Sequence, residues 1–178
     1  MLYSWVFMDL EQQIQVLVDN APQDGTTPKA IKAIAPVLTL VASQLQHLDY
    51  YILQTLDQGW VLTTLSNRAQ PEIEKNVIYA FPTLKDAADF QSVSDPEVLA
   101  VTVPVTHILF QMLAIETLTS IVFFDTPGNL TAGIEVRRDN LQQLIQTQLQ
   151  QIRSVPRSYP SNLPPDIAWV RSCPNRLE

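Results

Sequence analysis

Glycine is scarce in this chain: four occur, at positions 25, 59, 128 and 133, and none precedes Lys-Ser or Lys-Thr. A phosphate-cradling loop ending in Gly-Lys-Ser/Thr is therefore missing, as are the Gly-x-Gly-x-x-Gly turn of dinucleotide sites and the Gly-x-Ser-x-Gly elbow of serine hydrolases. Cysteine is scarcer still. The single Cys173 has no disulfide partner and cannot build a Cys-based zinc site, which fits a reducing compartment. The two histidines, His47 and His107, would need converging carboxylates to hold zinc, and no spacing shows such convergence. No metal and no cofactor are expected.

Basic charge is also in short supply. Eleven Lys and Arg face 18 Asp and Glu, for a net charge of -7, and only Arg137 and Arg138 are adjacent. Such a surface repels phosphate backbones, so no nucleic acid is expected as a partner. Long apolar runs are missing too. The longest charge-free stretch, 98–115, is broken by Thr102, Pro104, Thr106, His107 and Gln111, which excludes a membrane helix. Residues 1–8 lack the cationic start and cleavage site of a signal peptide, and the expected location is cytoplasmic.

What is present suffices for one core: hydrophobic types make up 46% of 178 residues and charged types 16%. The expected organisation is one α+β domain over 1–153 and a proline-rich tail over 154–178, whose final Leu177-Glu178 reads as the start of a tag. The organising stretch is 96–125. Val98, Leu99, Ala100, Val101 and Val103 form one strand-like run and Ile121, Val122, Phe123 and Phe124 another. Between them Val105, Ile108, Met112 and Ile115 recur at helical spacing, with Pro104 in the first turn. Strand, helix, strand predicts a βαβ unit with a parallel pair.

Upstream, 9–19 reads as an amphipathic helix, with Leu10, Ile14, Leu17 and Val18 inward and Glu11, Gln12, Gln13 and Gln15 outward. Thr26 or Thr27 then caps a second helix with Pro28 in its first turn. Its seam of Ile31, Ile34, Leu38, Val41, Leu45 and Leu48 packs either on this chain's own core or in a homodimer. Core is the preferred reading, because two and a half heptads fall short of a coiled coil. Pro36 kinks this helix or starts a new one at that point, at a cost of about 3 kcal/mol.

Residues 50–56 and 60–65 predict a hairpin closed by Asp57-Gln58-Gly59, with glycine in the left-handed position. An exposed polar loop containing Pro71 is expected over 67–76, then a strand over 77–81. Thr83 to Asp86 has capping-box spacing and opens a short helix with Leu84, Ala87, Ala88 and Phe90 inward. After Asp125 a Thr-Pro-Gly turn leads to an edge strand over 133–136. A last helix follows, capped by Asp139 or Asn140, with Leu141, Leu144, Ile145, Leu149 and Ile152 inward. The overall expectation is a mixed sheet of five or six strands covered by four or five helices.

The order from Val77, carried by VIYAFPTLKDAADF, VTVPVTHILFQML and IVFFDTPG, resembles the SseB N-terminal-domain family over about Val77 to Ile152. The turn departs from that pattern, with Asp125-Thr-Pro-Gly128 where Asn-Pro-Gly is expected. The resemblance implies an α+β module without established catalytic residues.

Phe123 to Gly128 also looks like the magnesium-sensing switch of GTPases, but the missing phosphate loop reduces it to a strand-end turn of Asp125, Thr126 and Gly128. Glu72, Glu74, Asp86, Asp89, Asp95 and Glu97 read as a solvated surface. Aromatic residues exceed what the sheet needs, so Trp5, Trp60 and Trp169 are candidate binding residues. In the tail, Tyr159, Leu163, Ile167, Trp169 and Val170 among five prolines predict a docked segment, with Trp169 at least half buried. The function expected is a non-enzymatic binding or regulatory protein acting through contacts with a protein partner. The alternatives are a small-ligand sensor with an apolar pocket between the N-terminal helices and the sheet, and a hydrolase-like enzyme pairing His107 with a carboxylate such as Asp125.

Overall fold

The computed structural model describes residues 8–91 and 95–154. Trp5, Trp169 and the expected tail beyond Ser154 lie outside them. In chain order the described residues form α1 (Leu10–Asn20), α2 (Thr27–Ala42), β1 (Asp49–Thr55), β2 (Thr63–Asn67), β3 (Gln70–Phe81), α3 (Leu84–Phe90), β4 (Val98–Pro104), α4 (Val105–Ala114), β5 (Ser120–Phe124), β6 (Gly133–Arg137) and α5 (Arg138–Ser154). The sheet is mixed, in the order β4-β1-β3-β5-β6, with β2 paired to β3 alone. This is the expected α+β class.

The main core lies between one sheet face and α1, α2, α4 and α5. Leu38, Tyr50, Ile52, Ile78, Ile108, Leu109, Met112, Ile121 and Phe123 are sealed there. Most of the expected seam belongs to this core: Ile31, Leu38 and Val41 are buried, Ile34 packs against it and Leu45 is buried beyond the end of α2, while Leu48, also past that end, is 40% exposed. Pro36 sits inside a continuous helix. The first turn of α2 is capped differently from the expectation. Thr26 makes no side-chain cap; Asp24 accepts from the backbone N–H of Thr26 at 2.8 Å, and from the backbone N–H and hydroxyl of Thr27 at 2.7 and 2.6 Å. Those bonds, the Thr27 hydroxyl first, hold the Asp24 carboxyl far below the usual carboxylate range.

Helix α1 carries a capping box made by Asp9 and Gln12. Gln13 does not point outward: it is fully buried, with its amide donating to the carbonyls of Met8 and Leu48 at 3.3 and 2.9 Å. On α3, Ala87 is buried as expected, but Leu84 is 54% exposed and Ala88 is exposed, because seven residues make too short a helix to turn more than one stripe inward. Helix α5 starts at Arg138, one residue before the expected caps. Of its apolar stripe only Leu141 is buried, while Leu144 and Ile152 remain 43% and 49% exposed.

The central unit differs from expectation in its neighbours. β4 is antiparallel to β1, β1 is antiparallel to β3, and β3 is parallel to β5, so β4 and β5 run in the same direction with two strands between them. The reason is that β1 offers β4 a register of seven antiparallel pairs, Asp49 with Pro104 through Thr55 with Val98. Antiparallel ladders are slightly the more stable per residue. The parallel pair of the fold is β3 with β5.

The expected hairpin is confined to its turn. Thr55 N–H donates to the Gly59 carbonyl at 2.8 Å and Gln54 bridges Trp60, but the left-handed residue is Gln58 (φ 69) rather than Gly59. Beyond Leu62 the chain leaves β1 and pairs with β3, Thr63 opposite Val77 through Ser66 opposite Glu74, followed by a bulge. The expected loop over 67–76 is therefore the tip and returning strand of a β2–β3 arm. The side chains described toward its tip are exposed on both faces, so no polar alternation marks them as strand. Pro71 stands in a segment of β3 with β2 on one side only, the setting that tolerates proline.

Candidate functional site

The expected strand-end turn lies where β3, β4 and β5 all deliver their carboxyl ends. Asn129 N–H closes onto the Thr126 carbonyl at 3.0 Å, with Pro127 second and Gly128 third, and Gly128 takes the positive φ of 78° that this turn needs. Two distant residues pin it. Asp86 is 4% exposed and accepts from the Gly128 N–H at 2.9 Å, while Thr83 donates its hydroxyl to the other Asp86 oxygen at 2.6 Å. Asp86 is thus a structural acid and not part of a solvated surface. Glu74, Asp89, Asp95 and Glu97 are exposed as expected.

On the other side His47 reaches the Asp125 carbonyl at 2.7 Å through Nε2. A carbonyl only accepts, so Nε2 carries the hydrogen of this bond. His47 also meets Tyr50 edge-on at 5.4 Å, and Tyr50 meets Phe123 the same way at 5.0 Å. Burial, and after it the charge of Asp125, push the Tyr50 hydroxyl up to about 12, so it stays protonated throughout the physiological range. Burial also raises the Asp49 carboxyl at the head of β1. One Asp125 carboxylate oxygen is buried without a hydrogen-bond partner. The turn is braced rather than poised: its histidine holds a carbonyl and its tyrosine stays protonated in the physiological range.

His107 is not brought to this turn. It lies in the first turns of α4 beside a cleft of about 250 Å³ lined by Leu17, Asn20, Ala21, Thr27, Phe110 and Gln111, among others. No described lining residue is acidic, and burial alone lowers the His107 pKa. The cleft is bounded by α1, α2 and α4 rather than by the sheet. Among the described residues no group of three or more His, Cys, Asp or Glu could hold a metal ion. No helix among them is long and apolar enough to cross a membrane.

The most distinctive surface is one that the sequence pattern did not bring forward. On the sheet face away from the main core, Leu53, Phe81, Ala87 and Phe124 form a second small core, with Tyr51, Tyr79, Val98 and Val122 partly buried against it. The aromatic rings form a continuous set: Phe124 stacks on Tyr79 and Phe81 at 5.8 and 5.6 Å, and Phe90 tilts onto the same two rings at 4.8 and 5.1 Å. Their only helical cover among the described residues is α3, which packs over β1, β3 and β4. Among the described residues the main contacts of α3 are with β1, β3 and β4 rather than with β5 and β6. Phe90 is 37% exposed at the margin, the same face of the arm carries Leu65 at 44% exposure, and Ile73, 55% exposed, stands in the irregular segment next to it.

The alternation of Tyr79 and Phe81 with Ile78 and Ala80 was the available signal, since two apolar faces on one strand demand two covers. Trp60, expected on a binding surface, instead bridges Gln54 and packs partly buried on the main core. No protein-family model, no curated protein and no solved structure matches the chain.

Proposed function

We propose that the protein is a non-enzymatic binding module that works through protein–protein contacts on the second face of its sheet. The observation that carries this is the aromatic set of Tyr79, Phe81, Phe90 and Phe124 under one seven-residue helix, continued by Leu65 and Ile73 on the arm. Phe81 and Phe124 are buried beneath, and the side chains this face offers a partner are Phe90, Leu65 and Ile73, at 37%, 44% and 55% exposure, an aromatic anchor with aliphatic neighbours of the kind interface centres use. The resemblance to SseB N-terminal domains is kept as part of this proposal, since the elements from β3 onward follow the expected order.

The test is capture of partners from native extract with the full chain and with Ile73→Glu/Phe90→Glu, which alters two exposed side chains. Loss of the captured protein by the folded variant, with hydrogen-exchange protection over 63–79 and 120–124 in the complex, is expected. Equal capture by both forms, or protection confined to the helix layer, overturns the reading.

A small-ligand sensor is the second reading. The cleft beside His107 favours it, since a mostly apolar lining with a few polar groups suits a small molecule. A metabolite that raises the melting temperature of the parent but not of a Phe110→Ala variant would identify it.

A further inference from the structure

The β2–β3 arm presents an edge as well as a face. Among the described residues β2 pairs with β3 and with no other strand, so one row of its N–H and C=O groups has no ladder partner. Natural edges are usually guarded by charge, proline or brevity. β6 is guarded, with Glu135 and Arg137 in a five-residue strand. β2 is not: from Val61 to Asn67 the chain reads Val-Leu-Thr-Thr-Leu-Ser-Asn without one charge, in a protein of net charge -7. A two-stranded ribbon in water is marginal without further strands or packing. The arm nevertheless shows solvent Leu65 and Ile73 at 44% and 55% exposure.

We infer that this edge is the contact for a second copy of the same chain, with β2 pairing antiparallel to the β2 of its partner around Leu65. The strand is built symmetrically about that residue. Leu65 is the middle of Thr63–Asn67, and a hydroxyl residue, Thr64 or Ser66, stands on either side. In a two-fold pairing centred there Leu65 faces its own counterpart and Thr64 faces Ser66 of the other copy, so like meets like. Both leucines fall on one face of the resulting four-stranded ribbon. Lys75 shares that face, because Leu65 is opposite Lys75, and Ile73 stands in the irregular segment just beyond the Ser66–Glu74 pair. No charge faces a like charge across the new ladder. Contact at the tips of two projecting arms also keeps the acidic bodies apart, where screening over about 8 Å weakens their repulsion.

The other uncharged edge, β4, is preceded by Asp95 and Glu97 and is flanked by the body of the sheet.

The association should be concentration-dependent in the full chain, by sedimentation velocity up to about 100 µM, a range suited to a small interface. Leu65→Lys leaves the exposed side chain in water in the monomer but sets two ammonium groups opposite each other in the dimer. It is expected to weaken association tenfold or more, with an unchanged circular dichroism spectrum. In a Cys173→Ser background, Leu65→Cys is expected to form a disulfide-linked dimer at least tenfold faster than Leu40→Cys, a control on an α2 position that is 53% exposed. Residues paired across a two-fold antiparallel ladder lie roughly 4.5 to 5.5 Å apart at Cα, within disulfide range. A monomer at every concentration overturns the inference, even if the edge accepts a strand from a different protein. So does a dimer that survives Leu65→Lys and dissociates with Leu99→Lys on β4.

Discussion

The side-chain oxygen of Gln13 accepts from both the backbone N–H and the hydroxyl of Thr106, 93 positions further along the chain, at 3.2 and 3.0 Å. Helix α4 needs this. Its N-cap is Pro104, which has no side-chain acceptor for the orphan N–H groups of the first turn. The Val105 N–H goes to the Leu48 carbonyl at 2.8 Å, and Gln13 takes the next one while donating back to the same carbonyl. Gln13 therefore caps α4 from α1 and ties it to the lead-in of β1.

Replacing Gln13 by Leu conserves bulk but leaves the buried Thr106 groups and the Leu48 carbonyl short of partners. A loss of about 2 to 4 kcal/mol is expected, from an unsatisfied-group cost of roughly 1 to 3 kcal/mol each with partial relaxation. For a domain of this size that is a fall in melting temperature of about 5 to 12 °C. The exposed neighbour Gln12 should cost less than half as much when changed to Ala, its part being the α1 capping box alone. A Gln13→Leu variant as stable as the parent would show that these bonds contribute nothing net.

The two glycines beyond β5 should separate backbone strain from crowding. At Gly128 an added Cβ meets nothing within 4 Å, so Ala there is opposed only by the positive φ of 78°, about 1 to 2 kcal/mol. At Gly133 the φ is permissive but a Cβ would come within 2.7 Å of the Phe123 carbonyl oxygen and 3.0 Å of a Val122 methyl. Both belong to β5, the strand that pairs with β6, so the edge strand must shift. Chemical denaturation should rank Gly133→Ala as the more destabilising of the two. The reverse order would mean that β6 moves at little cost.

These features also mark how far the sequence could be read. Leu38, Ile108 and Phe123 announce themselves by period, because apolar side chains recur at helical or strand spacing chiefly where one face of the element is buried. Gln13 does not. A glutamine among glutamines on an amphipathic helix looks solvent-facing, and only Pro104, far away, reveals that a helix start lacks a cap. The arm was hidden for the opposite reason, since a ribbon wet on both faces has no buried side to impose alternation. The turn at Asp125 was legible from Pro127 and Gly128. Its braces, His47 and Asp86, were not, because nothing local links 47 or 86 to 125. Likewise the two strands separating β4 from β5 follow from competition between ladders that no single segment contains.

The α2 seam distinguishes core from interface. Val41 is 8% exposed and packs in the main core with Leu38 and Ile31. Val41→Glu together with Ile34→Glu puts two carboxylates on the core-facing side of α2, one of them at a buried position, which disfavours the folded chain by roughly several kcal/mol. The double variant should be unfolded by circular dichroism at 25 °C. A folded double variant that had merely lost self-association would return the homodimer contact to this helix and away from β2.

His107 supplies a pH dependence whose sign follows from burial. Its folded pKa lies below the unfolded value near 6.5, so the folded state holds the neutral ring and the unfolded state takes up the proton first as pH falls. Its contribution is complete above pH 6.5 or so and is lost progressively as pH drops through that value toward the folded pKa. His107→Gln keeps a polar side chain of similar length and cannot titrate. The parent should therefore lose melting temperature between about pH 7 and 5 more steeply than the variant, and the difference should close above about pH 7.5 except for a constant offset. The described lining of the cleft around the ring contains the polar side chains of Asn20, Thr27 and Gln111. Parallel melting curves for the two proteins across that range would show that the ring can be protonated in place at no cost, and with it that the cleft admits enough water to serve a charged ligand.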